Sequence, residues 1–138
     1  MPLWRIVLYV TDRNSVPFTD WYNHQDVKVR AMFSATLITL VGTPDWDDSD
    51  VEEFKALTGR DAGLGEIRFE VIHQEGPRQR KRQLRCLGIW PPDGNEFVLL
   101  NGLEKSGRVS IPVNAYTEAH RLKQQYGQGR GSVDEYFK

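Results

Sequence analysis

Three short runs of strand-forming residues crowd into one part of the chain: "EIRFEVI" (Glu66 to Ile72), "QLRCLGIW" (Gln83 to Trp90) and "EFVLLNGL" (Glu96 to Leu103). The first alternates, with Ile67, Phe69 and Val71 pointing one way and Arg68, Glu70 and Ile72 the other. Between the runs lies turn chemistry. Gly76-Pro77 falls within "HQEGPRQRKR", and Asp93-Gly94 within "PPDGN" is a hairpin signal. Strands joined by turns return antiparallel, so residues 66–102 predict a three-stranded meander.

The flanks add one strand and helices. "LWRIVLYV" (Leu3 to Val10) reads as a buried strand, being short and rich in Ile, Val and aromatics. Thr19 or Asp20 can cap a helical segment over residues 18–41. Its apolar positions, Phe18, Trp21, Tyr22, Val29, Met32, Phe33, Leu37 and Leu40, form one stripe that packs on a sheet, and Asp26 can break the segment in two. Residues 42–65 read as an acidic loop and connector. Pro112 opens a helix over 112–126 with Ala115, Ala119, Leu122 and Tyr126 on one face. The glycine-rich residues 127–138 read as a mobile tail, with an anchor available at Tyr136-Phe137. The order strand, helices, antiparallel strands, helix predicts a single α+β domain over residues 1–138, its C-terminal helix on one face of a twisted mixed sheet.

The chain's 138 residues suit one core, and 39% hydrophobic with 27% charged residues suits a soluble protein. No apolar run approaches a membrane span, and the N-terminus lacks signal-peptide features. One cysteine, Cys86, excludes an internal disulfide and a cysteine-rich zinc site, and it reads as a small buried hydrophobe. These features predict a cytoplasmic protein.

Charge is unevenly spread. From Gly42 to Gly65 seven acids face two bases, while from Glu66 to Arg130 eleven bases face seven acids. Arg78, Arg80, Lys81, Arg82 and Arg85 form the densest basic run. Such a run is either a solvated loop or a polyanion-binding ribbon.

"FKALTGRDAGLGEIRFEV", "LRCLGIW" and "FVLLNGLEKSGRVSIPVNAYTEAHRLKQQY" resemble, in order and spacing, three successive blocks of the RelE/HigB toxin superfamily, most closely its phage-type HigB branch. The resemblance covers roughly Phe54 to Tyr126. It implies a small mixed sheet with helices on one face and a basic concave surface on the other. It also implies a ribonuclease that cuts mRNA on the ribosome, needs no cofactor or metal, and is held inactive by an antitoxin partner. The family's functional positions fall on Arg68, on Arg85 (with Leu84 where the pattern has Tyr) and on Lys105. Arg108 loosely replaces a later Lys. Ser106 and Gly107 stand where the pattern has Lys and Thr, and Asn101 where it has His.

Such cleavage uses the ribose 2′-hydroxyl as nucleophile on its own phosphate. Fixed cations stabilise the developing charge, and Arg contacts two phosphate oxygens at once. Neighbouring cations would lower the pKa of Lys105, which could then act as a base. The competing reading pairs Arg68 and Arg85 with acids such as Glu70 or Glu96. Arg78, Arg80, Lys81 and Arg82 would grip RNA, and His73 is a candidate proton carrier. His120 and His24 read as polar helix residues, and three scattered histidines show no metal spacing. Trp46 reads as the exposed tryptophan, an anchor for a partner, in an acidic segment (Pro44 to Glu53) expected to lie remote from Lys105. Two further readings compete with the nuclease. One is a binder of a protein target, as the ParE branch is of DNA gyrase. The other is a non-enzymatic phage or mobile-element module.

Overall fold

The alternation in "EIRFEVI" sets the two faces of the sheet. In a computed structural model, which describes residues 3–90 and 94–137, Ile67, Phe69 and Val71 are buried on one face, while Arg68 and Glu70 point to the other. The elements in order are β1 (Arg5–Val10), α1 (Pro17–Asn23), α2 (Val27–Val41), β2 (Phe54–Ala56), a 3-10 turn (Gly59–Asp61), β3 (Leu64–Glu75), β4 (Arg78–Ile89), β5 (Glu96–Ser106), β6 (Val109–Ile111), α3 (Ala115–Gly127) and β7 (Ser132–Glu135). This is an α+β protein with three α-helices and a seven-stranded mixed sheet among the described residues.

The sheet order is β2-β3-β4-β5-β1-β7, with β6 paired to the far end of β5. β3, β4 and β5 form the antiparallel meander, and β1 lies parallel to β5 with Ile6 opposite Phe97. Neighbouring strand residues point to opposite faces, so the sheet has two apolar layers. On one face Ile6, Phe97, Leu99, Leu84 and Cys86 pack against Phe18, Val29, Phe33 and Leu37 of α1 and α2. On the other, Val7, Tyr9, Val98, Leu100 and Leu103 pack against Ala115, Ala119 and Leu122 of α3. Helices therefore occupy both faces, not one, because the adjoining stretches Ile6–Val10 and Phe97–Leu100 are apolar on both sides and neither face can be left to water. No helix among the described residues is long and apolar enough to cross a membrane.

Several predicted boundaries move. The helical segment does break at Asp26, whose carboxylate caps α2 by accepting from the Val29 amide at 3.0 Å. α1 needs neither Thr19 nor Asp20 as cap, because Pro17 opens it with a preset φ and no amide to satisfy. α3 starts at Ala115, after a turn closed by the Ala115 amide on the Pro112 carbonyl. The connector 42–65 contains β2, paired with β3 from Phe54 opposite Ile67 to Ala56 opposite Gly65. The tail is held as β7, antiparallel to β1, with Tyr136 against the core and edge-on to Phe33. The Asp93-Gly94 hairpin signal falls largely on residues 91–93, outside the described residues.

Trp46 is fully buried, not exposed. Its ring stacks on Trp4 at 4.4 Å and touches Phe54 and Phe97, and its Nε1–H donates to the Leu40 carbonyl at 2.7 Å. The acids around it stay on the surface. Asp45 and Asp48 accept from the Asp47 and Asp50 amides, which shapes the loop into successive turns.

Asp26 joins the helix cap to the sheet, since Arg82 of β4 donates to it at 2.8 Å. The Val29 amide first, and then Arg82, hold its carboxyl below its ordinary value of 3.8, against the opposing pull of partial burial. A depressed folded-state value means that this contribution is complete above the ordinary value and is lost as pH falls through the lowered one. Asp26→Ala is expected to cost about 1 kcal/mol, as loss of an N-cap does, and to remove that part of the acid sensitivity. Urea melts of both proteins at pH 7 and near pH 3 check this, since the gap between them should narrow in acid.

Candidate functional site

The basic residues singled out by sequence divide between the two faces. Arg68 and Arg85 lie directly opposite one another on β3 and β4. Lys105 of β5 lies opposite Gln83, two residues before Arg85. All three line a cleft of about 510 Å³ between the α3 face of the sheet and the N-terminal half of α3, together with Arg60, Asp61, Tyr116 and His120.

A bulge brings Lys105 there. Val98 and Leu100 face α3, yet so does Leu103, so the alternation changes phase within β5. The pairing with β4 shifts between Leu87 and Gly88 at the same level. One extra residue reverses the facing of everything beyond it. Glu104 is thereby turned to the opposite face and Lys105 into the cleft. The strand predicted to end at Leu103 runs on to Ser106 and so includes Lys105, whose Nζ lies 5.0 Å from the centre of the Tyr116 ring, where the π face attracts the ammonium.

Arg68 and Arg85 are ion-paired to neither Glu70 nor Glu96. Both reach Glu66, which is 2% exposed, with Nε-to-Oε1 distances of 2.8 and 3.4 Å. Tyr116 donates its hydroxyl to the other Glu66 oxygen at 2.6 Å. A carboxylate this buried is tolerable only with such partners. Burial first, and then the Glu66 carboxylate, push the Tyr116 phenol well above its ordinary range, so it stays a proton donor. Glu66 thus aligns two guanidiniums side by side and fixes the ring under Lys105.

The other predicted residues lie elsewhere. Arg108 is exposed in the tight turn that follows Gly107. The run Arg78–Arg82 is part of β4, not a loop, and forms a long hairpin with β3 that turns at Gly76-Pro77. Strand alternation divides it. Arg80 and Arg82 pair across to His73 and Val71 on the α2 side, and Arg78 pairs with Glu75, while Lys81, opposite Ile72, shares the cleft face. Arg82 is neutralised by Glu104 and Asp26. His73 sits 3.4 Å from Arg82 on that side, away from Arg68. Cys86 is buried, and burial raises its thiol pKa, so it is a poor nucleophile.

The acidic segment is not remote. The Glu53 carbonyl accepts from the Arg68 amide at 2.8 Å, and Glu52 and Glu53 border a second cleft that shares Arg68 and Arg85. β2 pairs with β3 and draws the segment to the sheet's outer edge, which is why it ends beside the cations.

Sequence reasoning missed Glu66 and Tyr116 and set His120 aside. His120 Nε2 lies 2.9 Å from Asp61 Oδ1 at the cleft wall. The spacing of Tyr116 and His120, one helical turn apart, was the available signal. Among the described residues no three His, Cys, Asp or Glu side chains gather closely enough to hold a metal ion. Chemically, the cleft offers cations for an anion with a phenol and an imidazole beside them. No family model, curated protein or solved structure matches the chain.

Proposed function

We propose that this chain is the toxin of a toxin–antitoxin system, a cytoplasmic ribosome-associated endoribonuclease that cleaves mRNA by 2′-hydroxyl attack. One observation carries the reading. Arg68, Arg85 and Lys105, distant in sequence and each matched to the family pattern, line one cleft. The parallel β1–β5 pair beside an antiparallel meander is compatible with the small mixed sheet that the resemblance implies, although helices here cover both of its faces. Two guanidiniums and one ammonium can hold a phosphate and stabilise the charge that builds on it. The antitoxin partner follows from the family resemblance alone.

One feature favours a second reading. Glu66 occupies both guanidiniums, and a cleft so neutralised suits a binding module of the same fold with a protein target. Inducible expression in bacteria with mapped transcript ends tests the two. The nuclease reading expects growth arrest with cuts that leave 2′,3′-cyclic phosphate ends. Arrest with intact messages favours the binding module.

The hairpin adds a graded test. Lys81 shares the cleft face, whereas Arg80 lies on the other. Lys81→Ala is therefore expected to flatten the log-log salt dependence of RNA binding by roughly 0.7, the value of one phosphate contact with a single strand, and Arg80→Ala to leave it unchanged. Equal slopes in all three proteins would remove the hairpin from the RNA path.

A further inference from the structure

We propose that His120, oriented by Asp61, is the general base of this cleft and takes the 2′-hydroxyl proton at Nδ1. The inference rests on the nuclease reading above and names a group which that reading lacks.

The geometry assigns the proton. Asp61 offers only acceptor oxygens, so the hydrogen in the 2.9 Å contact sits on His120 Nε2. The neutral ring then carries its lone pair on Nδ1, the form a base requires. Both partners are anchored. Ala119 and Leu122, buried against the sheet, fix α3 on either side of His120. Asp61 ends the 3-10 turn, where its amide bonds the Thr58 carbonyl and the next amide bonds that of Gly59. The His120 side chain keeps 35% of its surface exposed, so the ring is reachable from the cleft. The other two histidines do not line the cleft. His24, which caps the C-terminus of α1, contacts the Asp20 carbonyl, and His73 lies beyond the sheet.

In the reaction the 2′-hydroxyl proton passes to His120 Nδ1 as O2′ bonds to phosphorus. The bond from phosphorus to O5′ breaks, and O5′ takes a proton from the Lys105 ammonium. The products are a 2′,3′-cyclic phosphate and a 5′-hydroxyl. Imidazolium and amine then exchange protons with water to restore the starting state. Arg68 and Arg85, aligned by Glu66, hold the phosphate oxygens between the two proton-transfer groups.

The test is cleavage by the full chain on ribosomes programmed with mRNA, with thermal melts of every variant. His120→Ala is expected to slow cleavage by ~10²-fold or more, the usual contribution of a positioned base, and added imidazole should restore part of the rate. Asp61→Asn is expected to slow it by ~10-fold or more, because the amide donates to Nε2 and drives the ring proton onto Nδ1. Cleavage by His120→Ala within about threefold of the parent would make the imidazole a bystander and overturn the proposal. A loss that imidazole does not restore would also overturn it, leaving His120 as a tether between α3 and the 3-10 turn. If the parent chain itself cleaves nothing, the nuclease reading falls first and this inference falls with it.

Discussion

Lys105→Ala is expected to reduce mRNA cleavage by ~10²-fold or more, about 2.7 kcal/mol of transition-state stabilisation, with the thermal midpoint almost unchanged. The side chain is half-buried and its ammonium lies over the Tyr116 ring, so its removal leaves no buried charge unpaired. Arg85→Ala is expected to match that loss of rate but also to weaken the fold. It leaves Glu66, almost wholly buried, with Arg68 and Tyr116 alone, a deficit on the order of 1–3 kcal/mol. Arg85→Lys should not recover the rate, since an ammonium cannot reproduce the fork that spans two oxygens. Single-turnover rates and melts on the same preparations separate the two effects. Undiminished cleavage in both alanine variants would turn attention to the binding module.

The largest effect on stability is expected at Trp46. Trp46→Ala should cost about 3–5 kcal/mol, the range for emptying a large aromatic site, and urea midpoints measure it. The ring is the centre of an aromatic group, with Trp4 at 4.4 Å, Phe54 at 5.2 Å, Phe97 at 5.4 Å and Trp90 at 5.5 Å. Trp46→Phe should keep most of the packing but remove the indole donor to the Leu40 carbonyl, which keeps its bond from the Thr43 amide. A cost below about 1 kcal/mol for the alanine variant would mean that the loop collapses onto the vacated space.

The buried Trp46 also shows where sequence reasoning loses its grip. Its neighbours Asp45, Asp47 and Asp48 mark the segment as surface, and the segment is surface. Trp46 turns fully inward from it and Val51 partly so, and no local period records that. The basic run was misread for a related reason. Arg, Lys and Gln have little intrinsic liking for strands, yet register with His73, Glu75 and Ile72 makes them one arm of a hairpin. β2 is three residues long, too short for any alternation to be seen. What was legible had repetition behind it: the alternation of β3, the apolar run of β1 and the stripe of α2 with Asp26 at its head, from which Met32 departs by facing solvent at 43% exposure. Arg68, Arg85 and Lys105 were named from sequence, but their meeting depends on the bulge in β5. Glu66, which aligns the two arginines, reads in the sequence as one more alternating acid.

The parallel pairing of β1 has a consequence for the order of folding. Residues 5–8 pair with residues 96–99, and residues 7–10 pair with residues 132–135. The earliest strand therefore finds neither neighbour until most of the chain has been synthesised. The β3–β4 hairpin can close much sooner, because its arms follow one another directly. Contacts spanning such long loops form late and slowly, and an unpaired apolar strand is vulnerable to aggregation in the interval. The hairpin and the meander around it are the natural nucleus. On this view β7 acts in time as well as in space, since the β1 edge remains open for pairing with other chains until the segment beyond Gly131 arrives to cover it.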